Sequence, residues 1–76
     1  MRYITRDNVP LSGATAAEVI DDLRRASRDP RNTLREFMLA TATAASLQVG
    51  TPISGDTASE LLAGLVDARL LTEIEQ

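Results

Sequence analysis

The chain has 76 residues and a formal net charge of −3, with 25% charged and 43% hydrophobic residues. This balance is typical of a folded globular protein and argues against wholesale disorder or a membrane-spanning architecture. The length predicts one small domain over residues 1–76. A domain of this size buries only roughly 60% of the surface that its unfolded chain exposes.

The sequence contains no cysteine, no histidine and no lysine. Their absence removes thiolate and disulfide chemistry, imidazole acid–base catalysis, the usual zinc ligands and Schiff-base formation. We therefore expect a protein that is not an enzyme, with no cofactor, no metal site and no small-molecule substrate. Because no cysteine indicates an oxidising compartment, the default expectation is a cytoplasmic protein.

A β-hairpin is predicted for residues 1–13. Residues 3–6 favour a strand, Asp7 and Asn8 suit a tight turn, and residues 9–11 return as a second strand. The proline in that second strand donates no backbone hydrogen bond, which restricts the strand to the edge of a sheet.

Three helices are predicted after the hairpin, and each starts with a capping box in which a threonine precedes a glutamate by three residues. The helices cover residues 15–29, 33–49 and 56–69. Residues 70–75 then alternate between apolar and polar side chains, which predicts a short strand that pairs with the first one. The predicted fold is therefore mostly α (α+β by strict count), a three-helix bundle with a small N-terminal β-hairpin that a short C-terminal strand joins.

The first and third helices are predicted to be amphipathic. Apolar residues recur in them at helical spacing, namely Ala16, Val19, Ile20, Leu23 and Ala26 in the first and Leu61, Leu62, Leu65 and Val66 in the third. Charged residues occupy the opposite faces. Asp21 precedes Arg25 by four residues, which is the spacing of an ion pair on one helix face.

The second helix contains a charge-free segment from Met38 to Val49. Its twelve residues are too few to span a bilayer, which needs about 20. The segment is apolar or small on nearly all sides, which is typical of a helix enclosed by its neighbours. We therefore expect the second helix to be the central one, covered on most sides by the other elements.

Five arginines are concentrated within residues 23–37, where the first predicted helix ends and the second begins: Arg24, Arg25, Arg28, Arg31 and Arg35. The segments on either side carry a net negative charge. One interpretation is a solvated corner with local ion pairs, and the other is a docking patch for an acidic partner or for phosphates. In a self-associating protein the same patch would meet the acidic third helix of a neighbouring copy.

These features predict a non-enzymatic protein–protein interaction module, such as an accessory subunit, an adaptor or an inhibitor. It would dock through its charged helix faces or self-associate, with a protein partner or a homo-oligomer as the expected assembly and no membrane contact. The alternative is a nucleic-acid-associated regulator, because a helix, a turn, a second helix and a possible strand resemble a winged helix in outline. The third helix is acidic and repels phosphate, so nucleic-acid binding would depend on the Arg24–Arg35 cluster.

Overall fold

A computed structural model describes residues 1–27 and 33–74 of the chain. These residues form a mostly helical α+β fold, as predicted, with three helices and a small antiparallel sheet. In chain order the elements are β1 (Arg2–Thr5), β2 (Pro10–Ser12), α1 (Ala16–Ala26), α2 (Leu34–Val49), α3 (Ala58–Asp67) and β3 (Leu71–Glu73). The predicted hairpin, helices and C-terminal strand therefore all occur, with bounds that differ from the prediction by a few residues.

The three strands of the described residues form one antiparallel sheet in the order β2-β1-β3. Tyr3 in the central strand lies opposite Leu11 of β2 and Glu73 of β3. Asn8 closes the hairpin in the left-handed conformation, with a φ of 65°, which asparagine adopts more readily than most residues. β2 begins at Pro10 and lies at an edge of the sheet, as predicted.

All three helices are shorter than predicted, α2 by the one residue Thr33, which is its N-cap. α1 ends at Ala26, and residue 29, its predicted end, lies outside the described residues. α3 lacks two predicted residues at each end, because Thr57 is its N-cap and Arg69 takes the left-handed conformation with a φ of 63°. β3 likewise covers part of the predicted strand 70–75.

One of the three predicted capping boxes is complete. At α2 the Thr33 hydroxyl accepts from the Glu36 amide, and the Glu36 carboxylate accepts from the Thr33 amide. The threonine caps of α1 and α3 also form, but their glutamates accept from the Ala14 amide and from the Ser54 hydroxyl. The caps therefore define all three helix starts, even where the reciprocal hydrogen bond differs from the prediction.

The hydrophobic core lies between the sheet and the three helices. Its buried members are Tyr3, Leu11, Val19, Ile20, Met38, Ala42, Ala45, Leu61, Leu62, Leu65 and Leu71. α1 packs against α3, β2 and α2, and its Val19 and Ile20 are fully buried. α1 therefore occupies the central position that the sequence analysis assigned to the second helix.

α2 is not enclosed, and the prediction of a covered second helix is wrong. Its buried residues, Met38, Ala42 and Ala45, lie on one side, whereas Leu39 and Leu47 are 44% and 82% exposed. The physical reason is the small size of the molecule. α2 has 16 residues and is about 24 Å long, and two shorter helices and three short strands do not supply enough surface to surround it.

The inner side of α2 packs tightly against the loop that leads to α3. Gly55 in this loop is buried, and a Cβ atom placed on it would lie 2.8 Å from the Ala42 Cβ and 2.8 Å from the Met38 carbonyl oxygen. The Ile53 amide donates to the Ser46 hydroxyl at 2.8 Å. α2 is thus held firmly on one side and open to solvent on the other.

Candidate interaction surfaces

The arginine cluster predicted as a docking patch is described in part. Arg24 and Arg25 lie in the last turn of α1, and Arg35 lies in the first turn of α2. Arg28 and Arg31 lie outside the described residues. The structure therefore places three of the five guanidinium groups, on two helices that follow one another in the chain.

Arg24 and Arg25 share one carboxylate on their own helix. The Arg24 Nε atom lies 2.9 Å from the Asp21 Oδ1 atom, and the Arg25 Nη2 atom lies 3.2 Å from the Asp21 Oδ2 atom. The predicted Asp21–Arg25 ion pair is confirmed. The Arg24 side chain is 21% exposed and the Arg25 side chain 72%. Arg24 is therefore held against the protein, while Arg25 offers its guanidinium group to solvent.

Arg35 lies at an end of α2 where its charge is unfavourable. It is exposed, and no carboxylate among the described residues forms an ion pair with it. Its cation is in the first turn, where the partial positive charge of the helix dipole disfavours it. The last turn of α2 contains no basic residue. The first turn also carries Glu36, whose carboxylate the dipole favours, so the two side-chain charges at the amino end of α2 cancel.

A side of α2 that faces away from the core carries an uncharged strip. We call this strip the outer face of α2, and its exposed residues are Leu39, Ala40, Thr43, Ala44 and Leu47. Residues three and four apart share one side of a helix, so these five lie together. The Thr43 hydroxyl donates to the Leu39 carbonyl oxygen at 3.0 Å, which satisfies the hydroxyl hydrogen within the helix. The outer face is therefore an apolar strip open to solvent.

Leu39, Thr43 and Leu47 were not predicted to be surface residues, because the charge-free segment predicted an enclosed helix. A lack of charge indicates enclosure when enough neighbouring chain exists to cover the helix. The small size of the domain was the signal in the sequence that could have indicated their exposure. Roughly 40% of the unfolded surface of a domain this small stays exposed, so a long helix without a polar side must expose some apolar residues.

A shallow groove borders the outer face on one flank. A cavity of about 280 Å³ is lined by Thr41, Ala44 and Gln48 of α2 and by Leu23, Leu65 and Leu70 of the surrounding elements. It adjoins a second cavity of about 420 Å³, whose lining also includes Leu23, Gln48 and Leu70. Towards the hairpin the lining becomes mixed, because the second cavity also includes Arg6 and Asp7.

Tyr3, the one tyrosine of the chain, is buried in the core beside a cavity of about 360 Å³. Burial raises the pKa of its phenol, and the nearby negative charge of Glu73 raises this pKa further. The phenol is therefore protonated at neutral pH, and it packs as a core residue of the sheet.

Comparison with known proteins supplies no relative for this chain: no protein-family model, no curated protein and no solved structure gives a significant match. Within residues 1–27 and 33–74, no three acidic side chains are grouped in a way that would hold a metal ion. None of the helices in the described part of the chain combines the length and the hydropathy that a bilayer crossing requires.

Proposed function

We propose that the protein is a non-enzymatic interaction module, acting as an accessory subunit, adaptor or inhibitor in the cytoplasm. The observation that carries this proposal is the 82% exposure of Leu47 within a segment that has no charge from Met38 to Val49. Contiguous exposed apolar surface on a small protein marks an interaction site. The absence of cysteine, histidine and lysine supports a role outside catalysis, and the absence of cysteine supports a reducing compartment.

The docking surface in this proposal is the outer face of α2, with exposed arginines as secondary contacts. A partner on this face removes Leu39 and Leu47 from water, and complete burial of a leucine contributes on the order of 1.5–3 kcal/mol. An exposed ion pair contributes about 0–1 kcal/mol. Arg25 and Arg35 would therefore select an acidic partner surface and speed its approach, while the leucines supply most of the affinity.

A capture experiment with matched variants tests this proposal. Tagged wild-type chain, Leu47→Glu and Ala17→Glu are immobilised at equal density and exposed to lysate of the source cell. Ala17 is an exposed position on α1, so the two variants add the same charge at different faces. We expect proteins that bind the wild type and Ala17→Glu to be lost from Leu47→Glu. Retention that is unchanged in Leu47→Glu would contradict docking on α2, and a strictly monomeric chain that retains nothing would contradict an interaction module.

A nucleic-acid-associated regulator is the second candidate function. The observation that favours it is the exposure of Arg25 and Arg35. Glu60 in the first turn of α3 opposes it, because this is the end of the helix that would approach the phosphates in a winged-helix outline. Fluorescence anisotropy with duplex DNA and RNA tests this candidate. Salt-dependent binding that disappears when both arginines are replaced by alanine would support it, and no binding at low salt would eliminate it.

A further inference from the structure

We propose that the cavity beside Tyr3, which we call the Tyr3 cavity, binds the side chain of an arginine that a partner protein supplies. This inference rests on the proposed function, because it adds a second contact to the interaction module and names the chemistry of the partner at that contact. No residue of α2 lines the Tyr3 cavity, so this contact is separate from the outer face of α2.

The Tyr3 cavity has a volume of about 360 Å³ and lies between α3 and the sheet. α3 supplies an apolar wall through residues that share one side of the helix: Leu62, Ala63 and Val66. On the sheet side, Tyr3 of β1 lies directly opposite Glu73 of β3. Residues opposite each other in an antiparallel pair direct their side chains to the same face, with Cβ atoms about 5 Å apart. The cavity therefore combines an apolar wall with a phenol and a carboxylate that lie close together.

The hydroxyl group of Tyr3 is a hydrogen-bonding group without a protein partner at this cavity. Tyr3 is only 6% exposed and lines the cavity, and its hydroxyl forms no hydrogen bond with any residue that the structure describes. Among those residues, no fully buried side-chain oxygen or nitrogen lacks a partner, so the hydroxyl reaches the open space of the cavity. Its oxygen can accept a hydrogen bond from a ligand there.

The charges around the Tyr3 cavity favour a cation. Asp67 and Glu73 line it, and both are exposed and form no ion pair with a described residue. Met1 also lines it, but its ammonium group donates to the Gly13 carbonyl oxygen at 2.9 Å and forms no ion pair with either carboxylate. Arg69, two residues after Asp67, does not line the cavity. The described lining thus carries two negative charges and one positive charge, and one guanidinium group neutralises the remainder.

An arginine side chain matches this arrangement better than a lysine side chain does. Its planar guanidinium group directs several N–H donors outwards as a fork, and the acceptors of the cavity are spread over one phenol and two carboxylates. An ammonium group is instead a compact point charge. The methylene stem of the arginine can pack against Leu62 and Val66 while the charged head stays near water.

Titration of the full chain with two matched peptides tests the inference. One tripeptide carries an arginine between two alanines, and the other carries citrulline, the neutral isostere of arginine, in its place. The chain has one tyrosine and no tryptophan, so its intrinsic fluorescence reports on Tyr3 alone. We expect saturable binding of the arginine peptide with a Kd on the order of 1–10 mM, and none of the citrulline peptide in this range. Equal binding of both peptides would overturn the inference, as would no response to either in the fluorescence and in the amide NMR shifts of Leu62 and Val66.

Variants that remove one carboxylate each test where the arginine peptide binds. Asp67→Asn and Glu73→Gln change the lining of the Tyr3 cavity, whereas Asp7→Asn removes the same charge from the hairpin turn, outside the cavity. We expect each of the first two to weaken binding about twofold to fivefold and Asp7→Asn to leave it unchanged. Tyr3→Phe, followed by NMR, should also weaken binding, because the ring stays and the acceptor is lost. Circular dichroism shows whether each variant is folded, and equal affinity in all of the folded variants would overturn the site.

Butylguanidinium distinguishes an arginine within a protein from a free small cation, because it carries the charged head of arginine without a peptide backbone. We expect the arginine peptide to bind at least as tightly as butylguanidinium, since the Tyr3 cavity lies at the surface between α3 and the sheet. Binding of butylguanidinium without binding of the peptide would overturn the assignment to a protein partner.

This inference and the proposed function fail in distinguishable ways. If the arginine peptide does not bind, but a protein captured by the wild type is lost from Leu47→Glu, the Tyr3 cavity is not a contact and the interaction module stands. If the peptide binds as predicted, but the wild type is monomeric and captures no protein, the cavity recognises arginine and the interaction module is overturned.

Discussion

α1 and α2 follow one another in the chain, yet they expose different kinds of residue to solvent. In α1, Val19 and Ile20 are fully buried, and charged residues such as Glu18 and Arg25 are exposed. In α2 the buried side is built mainly from small residues, and Leu47 is 82% exposed. In a domain of this size, the neighbours available to a helix determine its burial more than its apolar content does.

The contrast also explains why the open side of α2 is suited to binding. Its inner side is fixed by the close approach of Gly55 and by the hydrogen bond between Ile53 and Ser46. The backbone of this surface is therefore already ordered before a partner binds, so docking costs little conformational entropy.

The largest expected effect is the difference between replacing a buried leucine, Leu61, and replacing an exposed one, Leu47. Leu61 is fully buried in α3, so Leu61→Ala should lower the free energy of unfolding by about 2–5 kcal/mol, because methyl groups leave the core and a cavity remains. Leu47→Ala removes the same atoms from an exposed position and should change it by less than about 0.5 kcal/mol in dilute solution. Urea denaturation followed by circular dichroism measures both values. Equal losses would contradict the difference in burial.

A methyl group at Gly55 tests how tightly the inner side of α2 is held. The new Cβ would lie 2.8 Å from the Met38 carbonyl oxygen, which belongs to the helix backbone, so Gly55→Ala should cost about 1–3 kcal/mol. Gly64→Ala is the matched control. Its Cβ would lie 2.7 Å from the Ile53 Cγ2 atom, a branch methyl that clears only if the half-buried Ile53 side chain or its loop shifts, and the roughly 1 kcal/mol that a helical alanine gains over glycine offsets part of this cost.

Thermal unfolding compares these two glycine variants. We expect both variants to melt below the wild type and Gly55→Ala to melt lowest, because Gly55 meets helix backbone and gains no helix propensity. A Gly55→Ala chain as stable as the wild type would show that α2 is not fixed by this loop.

The dependence of the free energy of unfolding on alkaline pH tests whether the Tyr3 phenol is buried in the folded protein. The raised pKa means that the folded state holds the phenolic proton at pH values where the unfolded state, with its ordinary pKa of 10.0, has begun to lose it. The free energy of unfolding should therefore be insensitive to this group below pH 10 and fall as the pH rises above 10. The chain has no lysine, no cysteine and no second tyrosine, so Tyr3→Phe should remove most of this slope.

Urea denaturation at a series of pH values on both sides of 10 measures this slope. Wild type and Tyr3→Phe should differ in how their stability changes with pH, whatever their difference at neutral pH. An identical alkaline slope in both chains would contradict a buried phenol in the folded state.

The ion pairs of α1 have the smallest expected effect on stability. Arg25 is largely exposed, so Arg25→Ala should lower the free energy of unfolding by about 0.2–0.5 kcal/mol and should lose that effect in high salt. Arg24→Ala should cost more, because the stem of this less exposed side chain also packs against the protein. Urea denaturation at low and high salt measures both changes. A larger, salt-dependent loss for Arg25→Ala than for Arg24→Ala would contradict their observed exposures.

Most elements of the fold were predictable because their signals are local. Thr15, Thr33 and Thr57 cap their helices through amides three residues further along, and Asn8 turns the hairpin through its own backbone conformation. Such interactions depend on residues close in sequence. The Asp21–Arg25 pair was predictable for the same reason.

The candidate site was not predictable in the same way, because exposure depends on residues distant in sequence. The charge-free segment of α2 was recognised, but whether Leu47 is covered depends on how much chain the rest of the molecule can place around it. The tight contact of Gly55 with α2 also has no local signal, since only the folded structure brings that loop beside Met38.

The reactivity of a single thiol at position 43 tests most directly whether the outer face of α2 is open to solvent, as its exposure indicates. We predict that the thiol of Thr43→Cys reacts with an excess of aromatic disulfide reagent nearly as fast in native protein as in urea. A much slower reaction in the native protein would show that the face is enclosed and would contradict this account.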